Sequence, residues 1–243
     1  MQESSFLAKM DTRVGILGAG QLGKMMALAA GNWHLPLFFL DQNEDMPAAR
    51  FGAGFTSGNF NSFEDVYNFG KSVDVLTIEI EHVNVEALKK LESEGIQVHP
   101  SPAALELIKD KGSQKTFYRV ECLPTAPFRL YEDAGAIRTA LGKGEIKLPF
   151  VQKSRSEGYD GKGVLVVRKE EDLEKLMNTP SVTEELVDID KELAVIIARS
   201  PSGEIKAYPP VEMNFHPDAN LVEFLLCPAR ISEAIEKEAV TLA

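Results

Sequence analysis

Short apolar runs alternate with helix-forming stretches along the first hundred residues. Leu22–Ala30 and Ala87–Glu94 are rich in strong helix formers. The apolar runs have the length of strands and lie at Val14–Leu17, Leu37–Leu40, Val73–Ile80 and Ile96–Val98. This alternation predicts an α/β fold with a doubly wound parallel sheet, whose ligands bind beyond the carboxyl ends of the strands.

The pattern changes after residue 98. Two proline-bounded connectors, His99–Pro102 and Leu123–Pro127, flank Ala103–Cys122, which predicts one or two helices interrupted near Gly112. A small α+β part follows, and then strands separated by turns, which is typical of antiparallel pairing. These later elements are predicted at Ala136–Leu141 (helix), Pro149–Lys153 and Val164–Arg168 (strands), Glu170–Met177 (helix), Leu193–Ala198, Ile205–Tyr208 and Leu221–Leu226 (strands), and Ile231–Leu242 (amphipathic helix).

Composition narrows the class of protein. The 243 residues include 26 Lys and Arg against 37 Asp and Glu, which gives a net charge of −11. This balance, with 44% hydrophobic residues, excludes disordered and collagen-like chains and argues against binding to nucleic acid or anionic membranes. No apolar run approaches the roughly 18–20 residues that span a bilayer. The N-terminus has no signal-peptide core, and the two distant cysteines form no disulfide pattern, so we expect a cytoplasmic protein. The four histidines lack the spacing of a zinc site.

A glycine-rich turn, Gly18–Gly23, stands between the first predicted strand and helix with the spacing GxGxxG. Its glycines allow a tight turn, and the helix N-terminus offers free N–H groups to an anion. Asp41, which ends the second strand, would complete an NAD fingerprint by accepting ribose hydroxyls. NAD, another phosphate-bearing ligand, and simple packing of helix on strand all remain open for this turn.

A second glycine-rich loop, Gly158–Gly163, joins the strand that carries Lys153 to the strand that begins at Val164. Backbone N–H groups of such a loop can hold triphosphate oxygens, and Lys153 can reach the same phosphates. The loop is not a Walker A motif, because GxxxxGK[ST] and the following helix are absent. A flexible hairpin tip is the alternative.

Acidic residues follow two further strands. In Glu184–Glu192 a strand ends on carboxylates, and a short connector leads to another strand. The backbone of the connector could bind an adenine edge. A carboxylate eight residues on could accept ribose hydroxyls. The alternative is a solvated acidic turn. Ile78–Val83 places Glu79 and Glu81 at the end of a buried parallel strand, where carboxylates point either into the ligand crevice or to solvent.

These four motifs, in this order, resemble ATP-grasp enzymes of purine biosynthesis, above all the 5-(carboxyamino)imidazole ribonucleotide synthase family. The matching segments are ILGAGQLGKMM, TIEIEHV, HPSPAALELIKDKGSQK, LPTAPF, QKSRSEGYDGKG, EELVDIDKELAVIIAR and NFHP, and they cover the chain from Arg13 onward. The resemblance implies an N-terminal ribonucleotide-binding α/β domain over residues 1–102, linker helices and an ATP-grasp lid over 103–185, and an incomplete C-terminal antiparallel domain over 186–243.

The resemblance also implies a reaction. An ATP-dependent ligase of this kind carboxylates 5-aminoimidazole ribonucleotide with bicarbonate, through carboxyphosphate, and releases ADP and phosphate. Lid closure suits this chemistry, because water would destroy the intermediate. The implied cofactors are ATP and magnesium, the partners are small-molecule substrates and not nucleic acid or membranes, and the expected assembly is a homodimer.

Site residues carry over from the family position by position. Substrate contacts are expected from Gln21, Leu22 and Glu79, with Tyr159, Asp160 and Lys162 reaching from the lid; the division of roles between Glu79 and Glu81 is open. ATP contacts are expected from Lys111 and Lys153 on the phosphates, from the lid loop Gly158, Tyr159, Asp160, Gly161, Lys162, Gly163 and Val164, from the adenine clip Glu184, Glu185, Leu186 and Val187, from Glu192 on the ribose, and from His216.

The chain departs from the family pattern in places. Lys111 stands where relatives can carry Arg, and Leu186 and Asp188 stand where an aromatic residue or proline is common. Relatives continue past Ala243 with two acidic metal ligands, so no metal ligand is expected within the chain. A protein that ends at Ala243 is expected to bind the ribonucleotide weakly but not to hydrolyse ATP in response to it, since phosphoryl transfer needs magnesium.

Three alternatives accompany this interpretation. An NAD-dependent oxidoreductase would rest on GAGQLG and Asp41, but it leaves GYDGKG and EELVDIDKE unexplained. A formate-dependent glycinamide ribonucleotide transformylase belongs to the same superfamily, but that enzyme usually has Glu where Gln21 stands and a serine-rich lid. The third alternative is a non-catalytic protein that only binds nucleotides, and only the incomplete last domain supports it.

Overall fold

A computed structural model describes residues 12–156, 163–216 and 221–243. The chain divides into two compact units, Met1–Asp110 and Lys111–Ala243. The finer division of the second unit into a lid and a C-terminal domain at residue 186, and the boundary at residue 102, stay predictions. Within the described ranges, no helix combines the length and the apolar character that crossing a bilayer requires.

The first unit is a five-stranded sheet in the order β3-β2-β1-β4-β5, and every neighbouring pair of strands is parallel. This is the strand order of doubly wound folds, so the predicted parallel sheet is confirmed. Its strands are β1 (Val14–Leu17), β2 (Leu37–Asp41), β3 (Gly54–Ser57), β4 (Val75–Ile78) and β5 (Gln97–His99); its helices are α1 (Gln21–Gly31), α2 (Phe63–Gly70), α3 (Val85–Ser93) and α4 (Pro102–Lys109).

Both faces of this sheet are buried, because successive side chains of a strand point to opposite sides. Ile16 packs in one apolar cluster with Phe39 and Ala27 of α1. Its neighbour Leu17 packs in another cluster with Leu76 and residues of α2 and α3. Continuous apolar runs are the sequence signature of such two-sided burial.

The second unit is built from antiparallel sheets, as predicted. A four-stranded sheet has the order β6-β9-β7-β8, a three-stranded sheet the order β10-β13-β14, and β11 pairs with β12. The strands are β6 (Phe128–Tyr131), β7 (Phe150–Ser154), β8 (Val164–Val167), β9 (Ser181–Glu185), β10 (Glu192–Ala194), β11 (Ile197–Arg199), β12 (Ile205–Ala207), β13 (Val211–Phe215) and β14 (Val222–Leu226); the helices are α5 (Lys111–Val120), α6 (Ala134–Gly142) and α7 (Glu233–Leu242).

The two faces of the four-stranded sheet have different characters. On one face Phe150 and Val167 pack with Ile137 of α6 in an apolar cluster. The opposite face carries Lys153 of β7 and Glu184 of β9, since Val151 is paired with Glu184 and precedes Lys153 by two residues. This second face therefore presents charged groups from adjacent strands.

Two predicted elements differ from the structure. The segment expected as the helix Glu170–Met177 is a 3₁₀ helix over Glu170–Lys175, because its acidic residues bury no apolar stripe that would extend an α-helix. The strand expected at Leu193–Ala198 is interrupted, so that β10 joins the three-stranded sheet while β11 pairs with β12.

Candidate functional site

The glycine-rich turn of the first unit lies against a carboxylate. A Cβ atom added at Gly18 would lie 2.7 Å from Oε2 of Glu79, and one added at Gly20 would lie 2.6 Å from Oε1. Gly18 also has φ of +98°, which favours glycine. The two elements meet because β1 and β4 are adjacent and parallel, and the N–H of Glu79 donates to the carbonyl of Leu17 at 2.8 Å.

This arrangement defines what the turn can bind. The partly buried Glu79 carboxylate lies against Gly18 and Gly20, and it only accepts hydrogen bonds when ionised. The site therefore favours hydroxyl or amine groups over an anion. Gln21 and Leu22 belong to the same turn, where they begin α1 with exposed side chains, and Glu81 is exposed to solvent. The predicted contacts of Gln21, Leu22 and Glu79 with the substrate stay predictions.

Asp41 has a structural role in this unit. Its side chain is 4% exposed, and its two carboxylate oxygens accept hydrogen bonds from the N–H groups of Ala19 and Gln42, both at 2.7 Å. A buried carboxylate with both oxygens engaged by the backbone is poorly placed to accept the hydroxyls of a ribose. The NAD interpretation thus loses the carboxylate on which it depended.

In the second unit, a carboxylate lies between two ammonium groups. Nζ of Lys153 lies 3.1 Å from Glu184, and Nζ of Lys115, from α5, lies 3.3 Å from the same carboxylate. Only 10% of the Glu184 side chain is exposed, so two cations compensate a nearly buried charge. We call Lys115, Glu184 and Lys153 the charged triad; its net charge of +1 suits a phosphate.

Lys115 was missed by the sequence interpretation, which paired Lys153 with Lys111. Lys111 begins α5, and its N–H donates to the carbonyl of Arg155 at 2.9 Å. Among the described residues its ammonium group makes no ion pair with a carboxylate. The available signal was the spacing in KGSQK, because residues four apart share a helix face.

The strands that flank the second glycine-rich loop form the predicted hairpin. β7 and β8 are antiparallel with Lys153 opposite Val164, and the carbonyl of Gly163 accepts from the N–H of Ser154 at 2.8 Å. Lys153 is therefore at the base of the loop. The loop residues Gly158, Tyr159, Asp160, Gly161 and Lys162 lie outside the described residues, so their predicted roles stay predictions.

The predicted adenine clip borders a cleft. β9 ends at Glu185, whose N–H donates to the carbonyl of Pro127 at 3.0 Å, and Leu186 and the exposed Val187 follow. The cleft has a volume of about 1160 Å³, close to the size of small-molecule sites. Its lining includes Arg119, Phe128, Lys147, Glu184, Glu185 and Leu186.

The remaining predicted ATP residues lie in the three-stranded sheet. Glu192 begins β10 opposite Met213 of β13. His216 follows β13 directly, and its N–H donates to the carbonyl of Leu221 at 2.8 Å. Glu192 thus lies in a strand that neighbours the one before His216, and the predicted contacts of both residues with ATP stay predictions.

The described residues contain no group of three or more His, Cys, Asp and Glu side chains that could hold a metal ion. Glu184 and Glu212, the buried glutamates of the second unit, are both engaged by cationic side chains. The prediction that magnesium ligands lie beyond Ala243 stays a prediction.

Comparison with known proteins matches two family models along the chain. Residues 10–109 match the ribonucleotide synthetase preATP-grasp domain, and residues 116–243 match the ATP-grasp domain. The phosphoribosylaminoimidazole carboxylase of Candida glabrata is 36% identical over 245 residues, which are 96% of this chain and 42% of that protein.

Two solved structures are similar to this chain over most of its length. N5-carboxyaminoimidazole ribonucleotide synthetase from Thermotoga maritima has a TM-score of 0.84 at 36% identity, over 95% of this chain and 59% of that one. N5-carboxyaminoimidazole synthase from Aspergillus clavatus, solved with ADP and 5-aminoimidazole ribonucleotide, has a TM-score of 0.86 at 30% identity, over 96% and 62%.

The chain thus spans about two fifths of the length of the Candida relative and about three fifths of the solved ones. The ATP-grasp match alone covers more than half of the chain, and it contains Lys153 and Glu184 of the charged triad, while Lys115 directly precedes it. The chain belongs to the ATP-grasp family, with a ribonucleotide synthetase preATP-grasp domain preceding the ATP-grasp domain.

Proposed function

We propose that the protein catalyses the ATP-dependent carboxylation of 5-aminoimidazole ribonucleotide with bicarbonate. The products are N5-carboxyaminoimidazole ribonucleotide, ADP and phosphate. The observation that carries the proposal is the charged triad at the base of a glycine-rich hairpin, in the same chain as a carboxylate-lined ribonucleotide turn. The activities for which the relatives are named, and the ADP and ribonucleotide bound to the Aspergillus protein, support this substrate pair.

The first step joins bicarbonate to phosphate. A bicarbonate oxygen attacks the γ-phosphorus of ATP, the bond from that phosphorus to the β–γ bridging oxygen breaks, and ADP leaves with the electron pair. In this proposal Lys153 turns from Glu184 toward the phosphates, where its ammonium offsets the negative charge that develops in transfer. Lys111 and the loop residues 158–164 have the same role, which is carried over from the family.

The second step forms the carbon–nitrogen bond. The exocyclic amine of the ribonucleotide attacks the carboxyl carbon of carboxyphosphate, or the CO₂ it releases, and the amine loses a proton while phosphate departs. Glu79 can accept a hydrogen bond from that amine or from the ribose, since its carboxylate faces the turn that precedes Gln21 and Leu22. Its own charge keeps the ligand's phosphate away from this end of the site.

ATP is proposed to enter as its magnesium complex, because the metal offsets phosphate charge in phosphoryl transfer. The described residues contain no group of three or more His, Cys, Asp and Glu side chains that could hold the metal, and the resemblance puts its ligands beyond Ala243. A homodimer and a cytoplasmic location are further proposals that rest on the resemblance; light scattering of the purified protein measures the first.

The decisive experiment measures phosphate release by the native protein with ATP, bicarbonate and 5-aminoimidazole ribonucleotide. Release that requires all three substrates, with ¹³C from bicarbonate appearing in the ribonucleotide product by mass spectrometry, would support the proposal. Release that instead requires glycinamide ribonucleotide and formate would support the transformylase alternative. Activity with NAD in place of ATP would contradict both.

A matched pair of variants tests the substrate turn. Glu79→Gln removes the carboxylate that faces Gly18 and Gly20, and we expect ribonucleotide-dependent phosphate release to fall by about 10- to 100-fold, because a hydrogen bond to a charged acceptor is lost. Glu81→Gln makes the same change two residues away on an exposed side chain. Equal losses in the two variants would contradict the assignment of Glu79.

A further inference from the structure

We infer that Lys115 is a positioning residue that holds Glu184 in place for the nucleobase and thereby sets the preference of the site for adenine. The inference deepens the proposed function and rests on ATP being the nucleotide that binds in the cleft beside Glu184. Lys115 lies in α5, in a segment to which the motifs of the sequence assigned only Lys111.

Three contacts fix the Lys115 ammonium group. It lies 3.3 Å from Oε2 of Glu184, it donates to the hydroxyl of Thr125, and it lies 5.8 Å from the centre of the Phe128 ring. Only 13% of its side chain is exposed. A cation with partners on several sides and little solvent around it keeps one position, so Lys115 is the permanent cation of the charged triad.

Lys153 is the more accessible cation. Its side chain is 31% exposed, and it stands at the base of the glycine-rich loop, opposite Val164. If Lys153 turns toward nucleotide phosphates, Glu184 loses one of its two cations. A carboxylate with 10% of its side chain exposed would then be destabilised, unless Lys115 continued to compensate its charge.

The released carboxylate oxygen has a defined chemistry. Glu184 lines the cleft together with Phe128 and Leu186, and an ionised carboxylate accepts hydrogen bonds but donates none. Adenine offers an amine donor at its six-position, whereas guanine offers a carbonyl acceptor there. Glu184 held by Lys115 therefore accepts from adenine and repels guanine.

The sequence around Lys115 is arranged to hold this geometry. Thr125 belongs to the connector LPTAPF, and Pro127 of the same connector accepts the N–H of Glu185 at 3.0 Å. The connector thus binds Lys115 through a side chain and the end of β9 through the backbone. This double attachment aligns the Lys115 ammonium group with the Glu184 carboxylate.

The test compares the dissociation constants of ATP and GTP for the native protein and its variants by calorimetry. We expect Lys115→Met to weaken ATP binding by about tenfold and GTP binding far less, because it removes a charged partner of Glu184. Lys115→Arg keeps the cation and should retain most of the preference. Lys143→Met removes an exposed lysine at the end of α6 and should change neither constant.

Coupling to Glu184 separates positioning from general stabilisation. Glu184→Gln should reduce the ratio of ATP to GTP affinity, and adding Lys115→Met to it should reduce the ratio little further. An unchanged ratio in folded Lys115→Met, or fully additive losses in the double variant, would overturn the inference. Should Lys115→Met not fold, Thr125→Val applies the same test by removing the hydroxyl that accepts from Lys115, and an unchanged ratio there would overturn it.

The wild-type measurement separates this inference from the proposed function. A native protein that binds neither nucleotide would contradict the proposed use of ATP. A native protein that prefers ATP, with variants that keep the same preference, would contradict only the role of Lys115.

Discussion

The carboxylate of Glu212, in β13, forms ion pairs with Lys191 and Arg230. It is 3% exposed; Nη2 of Arg230 lies 2.7 Å from Oε1, and Nζ of Lys191 lies 3.1 Å from the same oxygen. Hydrogen bonds from the Arg230 side chain are the largest cause that lowers the pKa of Glu212 from 4.5 to about 2, and Lys191 adds to it. The folded protein therefore favours the ionised carboxylate more strongly than the unfolded chain does.

This depressed pKa has a direct consequence for stability. Its stabilising contribution is fully present above pH 4.5 and is lost as the pH falls toward 2, because the unfolded chain then binds a proton more readily than the folded one. We expect Glu212→Gln to lower Tm by several degrees at pH 7 and to differ less from wild type at pH 3. Glu223→Gln, on an exposed side chain of β14, is the control. A Tm difference that stays constant from pH 7 to pH 3 would contradict the prediction.

Single residues also show where sequence reasoning stops. Lys153 and Glu184 were predicted because each belongs to a motif of local sequence. Lys115 was missed, since its significance arises only when α5 and β9 come together across 69 residues of chain. Asp41 shows the reverse error: it fits a cofactor pattern, yet the fold uses both of its oxygens to bind backbone N–H groups.

The segment after β4 depends on a helix cap. Oδ1 of Asn84 accepts from the N–H of Ala87 at 2.9 Å, and Nδ2 donates to the carbonyl of Asn61 at 3.1 Å. These bonds begin α3 and attach the loop that starts at Glu79 to the segment before α2. We expect Asn84→Ala to lower the free energy of unfolding by about 1–2 kcal/mol, measured by urea denaturation.

A conservative variant isolates the cap within that prediction. Asn84→Asp keeps the oxygen that accepts from Ala87 and removes only the donor to Asn61, so most of the stability should return. If both variants lose the same stability, the donor and not the cap is the important group.

Elements with continuous apolar runs were predictable, and some strands that lack such a run were not. β1 and β2 were identified because burial on both faces requires unbroken apolar sequence. β3 and β6 were missed: β3 is an edge strand with two exposed residues, and β6 has two exposed residues among four, so neither forms a continuous run. Helix composition in Glu170–Lys175 was misleading, because composition without an apolar stripe does not distinguish an α-helix from a 3₁₀ helix.

The distribution of charge over the whole molecule adds a constraint on nucleotide binding that no single motif contains. The chain carries a net charge of −11, while the charged triad carries +1. At long range an anionic nucleotide therefore meets a repulsive field, and it is attracted only within a few ångströms of the lysines. Long-range fields are screened over about 8 Å at physiological ionic strength, whereas partly buried pairs are screened far less.

Ionic strength should therefore change the rate at which ATP associates with the protein. We expect the association rate constant of ATP, followed by stopped-flow fluorescence, to rise as potassium chloride increases from about 20 to 200 mM, because screening weakens the repulsion of the acidic surface. Adenosine, which carries no charge, should associate at a rate that salt leaves unchanged. An association rate for ATP that falls with salt would mean that the triad and its neighbouring lysines, and not the net charge, dominate the field that the nucleotide meets on approach.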